Sequence, residues 1–169
     1  MRASSGLGDL VGGVIILLRR VETGETFVGE IPVEFFQENL FKEKSYLDKA
    51  VEIVLKGLDA LRAGSKEPMH VCTGYVLSRV RQVLKERGYR VVPSKIVGET
   101  QRMAEEAFLK SLRRIEVHGT PLDAGKRRFF SLLKWVQEDM KKREKFVKTG
   151  FRFWKKCTIS HASPSGNLT

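Results

Sequence analysis

Two apolar, β-branched runs, residues 13–20 and 26–33, flank Glu22-Thr23-Gly24-Glu25, and this pairing limits the possible folds more than any other feature of the chain. Short runs rich in valine and isoleucine, parted by a polar turn that carries a glycine, form a β-hairpin. Pro32 lacks a backbone donor, so the second strand ends there, bulges or lies at a sheet edge. Residues 34–41 stay open between a short third strand and a loop that buries Phe35, Phe36 and Phe41.

Helical and strand-like segments then alternate. The first helix is expected over 47–62, with Ser45 as N-cap, Gly64 just past its end and an inward stripe of Leu47, Val51, Val54, Leu58 and Leu61. Asp48, Glu52 and Asp59 fall on its solvated side. A strand over 69–73 leads into a helix over 75–87, and a strand around Pro93 (90–97) leads into a helix over 100–115. Strands alternating with helices of this length, joined by short turns, pair in parallel through right-handed crossovers. The expected fold is therefore α/β, a mixed sheet in which an N-terminal hairpin is followed by β-α units with helices packed on the sheet. A long last helix is expected over 121–148, capped by Thr120 with Pro121 and Asp123 in its first turn and ended by Gly150.

A chain of 169 residues with 41% hydrophobic content can bury a core without staples, so residues 1–157 are expected to form one domain and 158–169 a disordered polar tail. The longest apolar run, 11–18, is too short to cross a bilayer and lacks a basic leader, so the expected location is the cytoplasm. Cys72 and Cys157 belong to no CxxC or Cys/His cluster, which argues against zinc and leaves their pairing open. Scarce asparagine and glutamine beside abundant lysine, arginine and glutamate point to a heat-adapted source.

The charge is unevenly placed. Net charge is +11, yet residues 126–156 hold twelve basic and three acidic residues while residues 1–125 hold nineteen and seventeen. The body is nearly neutral. On a helical wheel Phe129, Leu133, Val136, Met140 and Val147 fall on one side of the last helix. Arg127, Lys134, Lys141, Lys145 and Lys148 align on the other. Such a ridge can follow a polyanion and release its counterions, which makes nucleic acid the expected partner. Arg152, Phe153, Trp154, Lys155 and Lys156 then interleave rings and cations, as single-strand binding requires; alternatively Phe151, Phe153 and Trp154 dock the chain end on the core. A membrane surface is disfavoured, because the helix's apolar stripe is needed inside.

The order hairpin, helix, strand, helix, strand, helix, long helix resembles the ribonuclease H-like fold, and small archaeal proteins of that fold predicted to be nucleases. The resemblance implies two-metal phosphodiester hydrolysis, with a divalent metal such as magnesium held by carboxylates from the first strand, the first helix and the end of the strand after it. Residues 13–18 and 69–74 carry no acid, and the acids of the first helix point away from its apolar face. Glu30, Glu34 and Glu99 are the remaining candidates for a cluster at the sheet. His70 and His118 have no recognisable nucleophile motif beside them, and Thr73-Gly74 lacks the phosphate-loop pattern. The expectation is a nucleic-acid-binding protein on a ribonuclease H-like core, either a nuclease or a catalytically degenerate relative. The alternative is an assembly protein that forms a homodimer through the last helix and aromatic segment.

Overall fold

The computed structural model describes residues 2–119, 125–152 and 154. Strands β1 (Arg2–Ser5), β2 (Val14–Arg19) and β3 (Thr26–Ile31) are followed by a 3-10 turn (Val33–Phe36), helix α1 (Glu38–Lys42) and helix α2 (Ser45–Ala60). Then come β4 (Met69–Cys72), a 3-10 turn (Tyr75–Leu77) running into α3 (Ser78–Glu86), β5 (Val91–Ser94) and α4 (Glu99–Arg114). The C-terminal part holds α5 (Lys126–Glu138), α6 (Met140–Arg143) and a 3-10 turn (Glu144–Phe146). One mixed sheet orders the strands β3-β2-β1-β4-β5. Its β1, β2 and β3 are antiparallel neighbours, whereas β4 lies parallel to β1 and β5 parallel to β4.

The hairpin and both parallel β-α units occur where the apolar pattern predicts them. Val14 pairs with Ile31 and Arg19 with Thr26, and Pro32 follows directly after β3. The run in β2 is apolar at every position because the strand is covered on both faces. Val14, Ile16 and Leu18 pack in one cluster with α2 and α3, whereas Ile15 and Leu17 belong to the clusters that contain residues of α4.

Four features depart from expectation. The central strand β1 has no counterpart in the sequence reading, because Arg2-Ala3-Ser4-Ser5 carries no apolar run; its place is set by backbone pairing to β2 from Arg2↔Leu18 to Ser5↔Ile15. Residues 34–41 form neither a strand nor a loop but short helical turns that bury Phe36. Ser45 is the first residue of α2 rather than its cap, and the cap position is taken by Lys44 at φ 58°, a left-handed residue that redirects the chain out of α1. The long last helix is divided at Asp139. The expected start at Thr120-Pro121 with Asp123, together with Cys157 and the tail 158–169, lies outside the described residues.

Helix α2 sits close on the hairpin because Gly29 has no side chain: a Cβ there would run into Ile53 Cγ2, a branch with no freedom to swing away. Gly29→Ala, which in an open strand raises stability, is expected to lower it here by about 1–3 kcal/mol. Urea denaturation of the two proteins checks this.

Candidate functional site

Helix α5 begins after Gly125, whose φ of 131° suits glycine alone, and buries Arg128, Leu132 and Val136 at spacings of four. It ends at Asp139 (φ −151°, ψ 72°), whose carboxylate accepts from the Lys142 amide and caps α6. The chain cannot stay helical to residue 148, because Val147 bridges Val11 in extended conformation. The Lys148 amide donates to Leu10 O (2.9 Å) and the Gly12 amide to Phe146 O (2.9 Å). Gln37 Nε2 clamps the same stretch by donating to the carbonyls of Lys145 (3.0 Å) and Val147 (2.7 Å).

The cationic ridge is therefore two patches. Arg127 and Lys134 are exposed on α5; Lys141, Lys145 and Arg152 are exposed beyond the break. Among the described residues no carboxylate forms an ion pair with any of these five. Two of the local acids are already engaged: Asp139 by Lys142 (3.3 Å) and Glu138 by Arg143 (3.1 Å), whose guanidinium also lies over the Trp135 ring. On the body Lys49 and Lys56 pair with Glu52, and Arg102 pairs with Glu99 and Glu106.

Two residues expected on this surface are not there. Lys148 is fully buried, and its Nζ donates to the carbonyls of Gly6 (2.9 Å), Asp9 (2.8 Å) and Val11 (3.3 Å) between the rings of Phe36 and Phe108. Three carbonyl acceptors saturate an ammonium, so Lys148 has nothing left for a phosphate. Trp154 is 5% exposed and packs in the cluster with Phe108, Leu132 and Val136. Phe151 lies against Phe36 and Phe41 at the point where Gly150 donates to Phe36 O (3.0 Å). Docking, the alternative reading of these rings, holds for Phe151 and Trp154; Phe153, Lys155 and Lys156 lie outside the described residues.

Beneath the patches lies a buried charge cluster that the sequence reading missed. Arg128, 0% exposed, bonds Asp9 Oδ2 (3.1 Å) in the loop after β1 and Glu105 Oε2 (2.9 Å) on α4. Burial raises the Asp9 carboxyl above its ordinary range, and the Arg128 and Lys148 cations offset this only in part. Burial likewise pulls the Lys148 ammonium down to about 7, against the opposing pull of Asp9 and Glu30. The spacing of Arg128 with Leu132 and Val136 was the legible signal, since it sets a cation on the apolar face of its helix. Phe130, 61% exposed, was missed as well: it stands three residues after Arg127 and four before Lys134, on their face.

A divalent metal does not fit what is present. Asp9 and Glu105 share Arg128, so a guanidinium already bridges the two carboxylates, and among the described residues no three His, Cys, Asp or Glu side chains form a metal-sized group. Glu30 and Glu99 are engaged by Arg114 (3.6 Å) and Arg102 (2.7 Å). At Thr73-Gly74, Arg81 Nη1 donates to the carbonyls of Cys72 (2.6 Å) and Gly74 (3.0 Å), and the Gly74 amide donates to Cys72 Sγ (3.5 Å). His70 Nδ1 is 3.0 Å from Ser94 Oγ, and His118 is exposed. A cavity of about 510 Å³ lies at the far end of the sheet beside Arg19, Arg20 and His70, where Arg20 is held by Glu67 (3.1 Å) and the Arg62 carbonyl (3.2 Å).

Comparison with protein-family models, with curated proteins and with solved structures finds no match to this chain.

Arg128→Ala leaves Asp9 and Glu105 without their shared cation and is expected to cost about 3–5 kcal/mol, read from urea denaturation. Lys148 gives a pH signature. Its folded form releases a proton near 7 and its unfolded form near the ordinary lysine value of 10.5. Between these the unfolded chain holds more protons, so stability relative to Lys148→Met rises with pH. Urea midpoints of both proteins at neutral and at mildly alkaline pH are expected to draw apart in favour of the lysine.

Proposed function

We propose that this chain is a nucleic-acid-binding protein on a ribonuclease H-like fold, and that it binds rather than cleaves. The sheet supports the fold reading, since a three-stranded antiparallel half is continued by two parallel β-α units. The observation that carries the function is the set of exposed cations Arg127, Lys134, Lys141, Lys145 and Arg152, which form no ion pair among the described residues and lie in the stretch 126–156, where twelve basic residues face three acidic ones. Cations left to water in this way gain most by neutralising phosphates, because each contact frees condensed counterions. The Arg128 bridge supports binding without cleavage, since it occupies the carboxylates of Asp9, in the loop after β1, and of Glu105 on α4.

Reversing Lys134, Lys141 and Lys145 together to glutamate is expected to abolish oligonucleotide binding while circular dichroism keeps the wild-type spectrum, because all three side chains are exposed. Loss of three phosphate contacts also implies that the milder triple alanine variant binds duplex with a log K against log salt slope lower by about 3. Fluorescence anisotropy across a salt series measures both. Unchanged affinity in the triple glutamate protein would overturn the assignment.

A further inference from the structure

We infer that Phe130 is a stacking platform for an unpaired base, which makes single-stranded nucleic acid the ligand of the α5 face. The inference rests on the proposed function and narrows its substrate class. Phe130 is 61% exposed although it has no polar atom to make exposure cheap, and it stands between Arg127 and Lys134 on one helix face. Those two cations are seven residues apart, about 10 Å along the helix, so a phosphate can be met on either side of a base lying on the ring.

The ring is also held in place. Phe129 meets it edge to face at a centroid distance of 5.5 Å, and Phe129 in turn packs against the cluster of Leu132, Val136 and Phe108. A ring fixed before the ligand arrives loses little freedom on stacking. Of the aromatics first assigned this role, Trp154 is engaged in the core and Phe153 lies outside the described residues; Phe151 packs inward as well, which leaves Phe130 as the exposed ring among the described residues of the basic region. A duplex has its bases already stacked on one another and would use only the cations, whereas a single strand uses the ring as well.

The test compares fluorescence anisotropy of a labelled oligothymidine of about 16 nucleotides with that of a labelled duplex of similar length, a length that covers the usual single-strand site sizes. Phe130→Ala is expected to weaken single-strand binding about 10- to 100-fold and to leave duplex binding and the salt slope unchanged. Phe130→Leu keeps apolar bulk without a π face and is expected to show the same loss, whereas Phe130→Trp retains affinity. Equal loss on both probes, no loss on either, or full affinity in Phe130→Leu overturns the stacking platform while leaving nucleic-acid binding in place. Failure of the wild-type protein to bind either probe overturns the proposed function itself. A fall in sedimentation coefficient on Phe130→Ala, with single-strand affinity retained, assigns the ring to contact with a second copy of this chain and overturns the inference.

Discussion

Arg128 joins three parts of the chain that are distant in sequence: the loop leaving the central strand, through Asp9; helix α4, through Glu105; and helix α5, on which it lies. Charges taken out of water are tolerated only where their partners are complete, and a cation with two carboxylates meets that condition better than either pair would alone. Lys148 completes the same loop from the other side by capping three of its carbonyls. The position of the basic C-terminal segment on the sheet therefore depends on this interior cluster as well as on apolar packing.

The cluster also sorts the C-terminal cations into two kinds. Arg128 and Lys148 face inward and are saturated with acceptors; Arg127, Lys134, Lys141, Lys145 and Arg152 face outward. Adjacent residues on a helix lie about 100° apart, so Arg127 and Arg128 can have opposite fates with no change in side-chain chemistry. The formal charge of the segment consequently overstates what a ligand meets, since part of it is spent on Asp9, on Glu105 and on backbone carbonyls.

How much of this was legible follows from which forces are local. The hairpin, α2 and both parallel β-α units could be read because apolar period and turn chemistry act over a few residues. Strand β1 could not, since its four residues have no apolar pattern and it is specified by neighbours on both sides. Lys148 was misplaced because spacings of seven from Arg127 through Lys134 and Lys141 continue smoothly to it on a wheel. The bridge between Val147 and Val11 overrides that local pattern, and nothing within a helical window announces it. Arg128 and Phe130 were both readable, the first as a cation on an apolar face and the second as a ring on a polar one. Both are residues whose type does not match the face they occupy.

The bonds from Lys148 to the loop after β1 span 137 to 142 residues. The entropy of closing so long a loop grows only slowly with its length, but contacts of high sequence separation slow folding. During synthesis, at about 5–20 residues per second, the hairpin, α2 and the parallel strands emerge well before residue 148 does. The loop from Gly6 to Val11 is thus made well over a hundred residues before its carbonyls acquire the Lys148 donor.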